Sequence, residues 1–247
     1  MNSPTPINPH TVISYIRGWF ALVFLAFGGL AASALVVPFV IFGGRRNKVQ
    51  HWVERCWAGG VLWIAGIKVE IRGAEHLPKG GCVLTPNHRS NADILAIMGY
   101  AATPARFIAK AKLKWVFFIS LGMWATGHIF VKRGRWKSSG KALGTAAREC
   151  RKGAWLLLFP EGTRVEGDAS IPWKTGAFRV AIDAQVPVVP VVIRHARRLW
   201  PTEELVPRSG TITVEFLEPV ETTGMEPKAY GPLRNRVRDA VIEELGA

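Results

Sequence analysis

Acidic residues are scarce in this 247-residue chain: 18 Asp and Glu stand against 32 Lys and Arg, for a formal net charge of +14. Such a surplus needs an anionic partner, which leaves nucleic acid and an anionic membrane as the candidates. Cysteine is scarcer still. Cys56, Cys82 and Cys150 are odd in number, far apart, and form neither a CxxC pair nor a Cys/His ligand cluster. A disulfide framework and a zinc ribbon are excluded, and the three read as buried thiols of a reducing compartment. No Gly-x-Ser-x-Gly elbow occurs, which argues against a serine hydrolase. There is no internal repeat and no low-complexity tract, so one catalytic domain with an appendage fits the length.

What is abundant is apolar and aromatic. The ten Trp and twelve Phe sit largely inside apolar runs, unlike the Lys/Arg-interleaved aromatics of nucleic-acid modules, which favours lipid and argues against nucleic acid. Trp19 to Phe42 is a run of 24 residues without a charge; as a helix it would extend about 36 Å against a hydrocarbon core of ~30 Å. Gly28, Gly29 and Pro38 interrupt it, so a spanning helix and a hairpin lying in one leaflet use the same residues. Arg17 precedes the run and Arg45, Arg46 and Lys48 follow it, a bias that puts the remainder on the cytoplasmic side, at the plasma membrane if the cell is bacterial. Val49 to Ile67 fits a second interfacial helix or a plain core helix equally well. Residues 1–66 are thus expected to be membrane-anchoring helices and residues 67–247 the catalytic domain.

From residue 67 onward short apolar strands alternate with helical patterns. Strands are expected at Ile67–Arg72, Cys82–Thr85, Ala105–Ala109, His128–Val131, Ala154–Phe159, Val188–Ile193 and Thr211–Phe216. Helices are expected at Ala92–Ala101, Lys114–Met123, Ser139–Arg151 and Ala177–Ala184, with a closing helix carrying Leu233, Val237, Val241 and Leu245 on one face. This alternation predicts an α/β fold with a mostly parallel central sheet flanked by helices.

Two constellations carry chemistry. Asn87-His88-Arg89-Ser90-Asn91-Ala92-Asp93 follows the strand Cys82–Thr85, at a strand end where open α/β sheets place ligand sites. A carboxylate that accepts from one imidazole nitrogen fixes the tautomer and leaves the other nitrogen to take a proton. The same Ser90-x-x-Asp93 also fits a helix capping box. Phe159-Pro160-Glu161-Gly162-Thr163-Arg164 closes a second strand: Pro160 stops it, Gly162 allows close backbone approach, and Arg164 offers a donor fork suited to phosphate. The other histidines, His10, His51, His76, His128 and His195, lack an acid at useful spacing and read as surface or core residues.

The two segments resemble the first and third signature motifs of the glycerolipid acyltransferases, the 1-acylglycerol-3-phosphate acyltransferase family. Phe130-Val131-Lys132-Arg133 is similar to the second motif and Val186-Pro187-Val188-Val189-Pro190-Val191 to the fourth. The resemblance covers roughly Ile67 to His195, and the apolar amino terminus is similar to the family's membrane anchors. Two departures, Lys132 before Arg133 and Lys112 in Ala109-Lys110-Ala111-Lys112-Leu113, add positive charge near the expected phosphate site.

The resemblance implies a glycerol-3-phosphate acyltransferase-like fold and transfer of a fatty acyl group from acyl-CoA or acyl carrier protein to the sn-2 hydroxyl of 1-acyl-sn-glycerol-3-phosphate, giving phosphatidic acid. His88 would be the general base and Asp93 its support. Glu161, Gly162, Thr163 and Arg164, with Arg133 and Lys110, would hold the substrate phosphate, and Asn87, Lys174 and Gly176 would line the pocket. No metal and no cofactor beyond the acyl thioester co-substrate is implied. Membrane lipids and the lysophospholipid acceptor are the expected partners. Other acceptors, such as a lyso-ornithine lipid, another lysophospholipid or a glycolipid, fit the same motifs. A basic, non-catalytic lipid-binding protein is the reading outside the enzyme class.

Overall fold

The computed structural model describes residues 9–43, 48–101, 105–110, 127–131, 140–164 and 172–246. Two long helices open the chain, α1 over Pro9–Gly43 and α2 over Lys48–Ala65. They pack antiparallel: Trp57 Nε1 donates to the Leu25 carbonyl at 3.3 Å, and Val53 meets Val36 in a small buried cluster. Gly28, Gly29 and Pro38 do not break α1. Gly29 instead lets the Trp57 indole approach, since a Cβ there would stand 3.3 Å from the ring. Within α1, Thr11–Val36 is long and apolar enough to cross a membrane. Arg17 is held by its own fold: Nε donates to the Ile64 carbonyl at 2.9 Å and Nη2 to that of Trp63 at 2.8 Å, satisfying the last turn of α2. Arg45 and Arg46 lie outside the described residues.

Seven strands form one sheet: β1 Ile67–Arg72, β2 Cys82–Pro86, β3 Ala105–Lys110, β4 Ile129–Val131, β5 Trp155–Leu157, β6 Val188–Arg194 and β7 Gly210–Phe216, in the order β1-β7-β6-β2-β5-β3-β4. All pairings are parallel except β6 with β7. The mostly parallel sheet is therefore as expected. β2 and β6 are buried along nearly their whole length, which is why neither shows the apolar–polar alternation of a strand with one face in water. β5 is shorter than expected because the chain turns away for Pro160, although the Leu158 amide still bonds the Leu84 carbonyl at 3.0 Å.

Helices cover both faces. α3 (Asp93–Tyr100) lies with α2 on one side, and its Leu95, Ala96 and Ile97 share a core with Leu62, Ile67, Leu84 and Ile212. On the other side lie α4 (Gly140–Arg151), α5 (Gly176–Ala184) and α7 (Tyr230–Leu245), where Phe178, Val180, Leu233, Val237 and Val241 close a second core over Val83, Leu156 and Val188. Between β6 and β7 runs a short helix that the sequence pattern did not announce, α6 over Ala196–Leu199. The helix expected at Lys114–Met123 lies outside the described residues.

The base of the anchor pair joins the first core, since Ala21, Ala58, Val61, Leu62 and Ala65 are buried within it. The remainder turns an apolar face outward: Trp19, Phe20, Val23, Phe27, Trp52 and Trp63 are exposed, Trp63 at 73%. Apolar surface of that extent marks an interaction with membrane, and the protein is membrane-associated. Cys56 is exposed on α2, contrary to the expectation of three buried thiols; Cys82 and Cys150 are buried.

Candidate active site

β2 and β5 are parallel neighbours, with Leu84 opposite Leu157, so the loops that leave their carboxyl ends emerge side by side. The chain leaving β2 enters α3 on one face, and the chain leaving β5 enters α5 on the other. A crevice at such a divergence is where doubly wound sheets bind ligands. His88 stands in the first loop and Phe159–Arg164 in the second.

The first loop is built around Asp93. This carboxylate is 1% exposed, and its Oδ2 accepts three bonds at 2.8 Å, from His88 Nδ1 and from the backbone amides of Arg89 and Ser90. The carboxylate thus folds the loop and orients the imidazole together. The capping box is only half made, since Asp93 takes the Ser90 amide while Ser90 Oγ accepts the Ala92 amide, and the helix cap, Ala92, has no side-chain bond. With Nδ1 donating, Nε2 is left as the basic nitrogen; it has no hydrogen-bond partner among the described residues. Asn87 fixes the loop from the other side, because its side chain donates to the Ile193 carbonyl at 3.0 Å and accepts from the Ile193 amide at 2.7 Å. Ser90 Oγ donates to the Trp200 carbonyl at 2.8 Å.

Three contacts join the second loop to the first. The Phe159 ring stacks on the His88 imidazole. Glu161, 5% exposed, accepts the His88 amide on Oε2 at 3.3 Å, and burial pushes its carboxyl from the usual 4.5 up to about 7. Arg164 donates from Nη1 to Asn91 Oδ1. The imidazole and the guanidinium are thus held through residues three apart.

Gly162 has φ 71, and a Cβ there would sit 2.0 Å from Lys174 Nζ, so the lysine lies directly over this glycine. The Lys174 amide also donates to the Pro160 carbonyl at 2.8 Å. Gly162, Thr163, Arg164 and Lys174 are exposed, while Gly176 is buried in the first turn of α5. Lys110 ends β3, its side chain outside the described set, and Arg133 lies outside the described residues altogether. Phe159 and Asn91 were missed as individual site residues, although both are letters of the two motifs.

Two histidines read as lacking an acid partner have one. His128 Nε2 is 2.7 Å from Glu54 Oε1, and His76 Nε2 is 3.3 Å from Glu218 Oε1. Both acids come from distant parts of the chain, where sequence spacing carries no signal. Burial raises the pKa of Cys82 and Cys150, the latter to about 12, so neither is a thiolate nucleophile.

A strand-end His–Asp pair facing a basic loop on this sheet defines an acyltransferase domain, and the family model described as Acyltransferase matches residues 68–194. The chain is 32% identical over 235 residues to the 1-acyl-sn-glycerol-3-phosphate acyltransferase alpha of Ovis aries, covering 93% of this chain and 77% of that protein. With the 1-acyl-sn-glycerol-3-phosphate acyltransferase of Pseudomonas aeruginosa it shares 31% identity over 216 residues, covering 86% and 82%. The crystal structure of the 1-acyl-sn-glycerophosphate (LPA) acyltransferase, PlsC, from Thermotoga maritima superimposes with a TM-score of 0.75 at 25% identity, over 95% of this chain and 98% of that one. The chain belongs to the 1-acylglycerol-3-phosphate acyltransferase family.

Proposed function

We propose that this protein transfers a fatty acyl group from a thioester donor, acyl-CoA or acyl carrier protein, to the sn-2 hydroxyl of 1-acyl-sn-glycerol-3-phosphate, releasing phosphatidic acid and the free thiol. The observation that carries the reading is the 2.8 Å contact of His88 Nδ1 with Asp93 Oδ2, within a loop that also tethers Arg164 through Asn91. Nε2 of His88 takes the hydroxyl proton as that oxygen attacks the thioester carbonyl. The C–S bond then breaks, and the proton passes from the imidazolium to the departing sulfur. Asp93 stabilises the imidazolium between these steps. A positioned base of this kind contributes about 10²–10⁴ in rate.

The phosphate of the acceptor binds Arg164 as a charge-assisted, planar contact, with Lys174 beside it over Gly162. Glu161 holds the amide of His88 and carries partial charge near neutrality, which lessens its repulsion of an incoming phosphate. No acyl-enzyme is needed, because the thioester is already activated.

The paired helices lie in one leaflet. α1 is docked on the catalytic unit at its start, where the Ser209 amide donates to Ser14 Oγ at 2.8 Å, and α2 returns to the same place at Gly66, whose carbonyl accepts the Gly210 amide at 3.1 Å. Arg45, Arg46 and Lys48 put the protein on the cytoplasmic face.

The test is incubation of the purified protein with a labelled acyl thioester and the lysophospholipid, read as diacyl product. His88→Ala is expected to abolish product while vesicle binding persists. Equal turnover of an acceptor that lacks the phosphate would remove the role of Arg164, and full activity of the His88 variant would remove the mechanism.

A further inference from the structure

A cleft of about 560 Å³ opens beside the site. Leu22 and Leu25 of α1 form one wall, Ile94 and Leu95 of α3 the opposite one, and Trp200 and Leu205 close it. Thr202, Glu203 and Glu204 also line it, the two carboxylates paired with Arg197 and Arg208. Its polar corner at the catalytic loop is Asn91, whose Nδ2 donates to the Pro201 carbonyl at 3.0 Å while Oδ1 accepts from Arg164. An apolar trough and a guanidinium therefore share a single residue.

We propose that this cleft holds the acyl chain that the acceptor already carries, and so reads the length of the sn-1 chain independently of the incoming acyl group. The inference rests on Arg164 as the phosphate contact. A ligand suited to a cation joined to an apolar trough must carry phosphate and alkyl chain on one short backbone. The acceptor does, whereas the thioester donor brings its chain on the carbon that must meet His88. At ~30 Å³ per water-sized group the cleft accommodates roughly 18 methylenes, the size of one lipid chain. It is also continuous with the anchor. Leu22 and Leu25 face the cleft while Val23 and Phe27 of the same helix face outward, and Leu205 at the rim is 65% exposed. A chain sliding in from the bilayer along Leu22 and Leu25 keeps apolar surface on that side, so part of its hydrophobic stabilisation is retained on entry.

The experiment uses the full chain in mixed micelles with two substrate series, acceptors of increasing chain length against one donor and donors of increasing length against one acceptor. Leu25→Trp and Ile94→Trp narrow the trough. They are expected to raise the acceptor KM by about tenfold for long-chain acceptors and little for short ones, with the donor profile unchanged. Leu22→Ala widens the trough and is expected to admit branched acceptor chains, which keeps the idea testable if a bulky variant fails to fold. A shift confined to the donor series overturns the proposal, as does an equal loss across all acceptor lengths. Arg164→Ala is measured alongside. It should raise KM for every acceptor length alike, and if it does not, the phosphate reading fails whatever the tryptophan variants do.

Discussion

The imidazole of His88 lies face to face with the ring of Phe159, 3.8 Å between centroids and 22° between planes. Asp93 fixes one nitrogen of that imidazole, and the phenyl ring fixes the plane in which the other must point. Phe159 belongs to the opposite motif, so the stack makes the two loops one object. Phe159→Ala removes an aromatic contact of about 0.5–1.5 kcal/mol, and kcat is expected to fall roughly threefold to tenfold with an unchanged acceptor KM. Phe159→Tyr should restore kcat, because the ring and not its identity orients the imidazole. Steady-state kinetics of the two variants checks this, and equal losses would show that stacking is irrelevant.

Glu161 sets a pH dependence of stability. Its folded pKa is raised to about 7 by burial, against 4.5 for an exposed carboxyl. Below 4.5 it is protonated in folded and unfolded chains alike and contributes nothing. Between the two values the unfolded chain ionises while the folded one does not, so native stability falls as pH rises. Above about 7 the full penalty remains, on the order of 3 kcal/mol. Glu161→Gln keeps an acceptor for the His88 amide but never ionises. Its melting temperature is expected to match wild type at acid pH, to pull ahead as pH rises through this window, and to hold its lead above it. A margin that does not vary with pH would contradict the assignment.

Much of this was legible in the sequence, for reasons particular residues make plain. Ile67–Arg72 was bounded correctly because Gly66 and Gly73 flank an apolar run. His88 and Asp93 were legible as a pair because one loop joins them, and their spacing is the geometry. Phe159 as the partner of the imidazole was not legible, since nothing in a hexapeptide says which side chain crosses to the neighbouring loop. Gly28 and Gly29 read as helix breakers, yet the partner Trp57 that makes small residues useful there comes from α2. Glu54 and His128 are 74 residues apart, and only the packing of α2 on the sheet brings them together.

That last pair makes a prediction of its own. Nδ1 of His128 accepts the Phe107 amide at 3.3 Å, which leaves Nε2 to donate to Glu54 at 2.7 Å. The two side chains are 2% and 11% exposed, so the contact ties the anchor helix to the sheet away from solvent. Glu54→Ala leaves a buried donor without an acceptor and is expected to cost about 3 kcal/mol. Glu54→Gln retains an oxygen for Nε2 and should cost clearly less. Urea denaturation of both variants in detergent decides it, and indistinguishable midpoints would mean that the hydrogen bond contributes no stability.

Gly162 tests whether Lys174 belongs to the phosphate site. At φ 71 any side chain is strained, at about 1–2 kcal/mol. A Cβ would also collide with the ammonium of Lys174 rather than with backbone, so the lysine can swing away while the loop stays folded. Gly162→Ala is therefore expected to raise the acceptor KM several-fold by expelling that cation, with kcat nearly retained. Lys174→Ala should raise KM by itself and add little in the Gly162→Ala background, because both changes remove the same charge. Fully additive effects in this double-mutant cycle would mean that glycine and lysine act separately. In that event Gly162 would serve the turn between Glu161 and Arg164, and Lys174 would contribute to the phosphate site independently of that glycine.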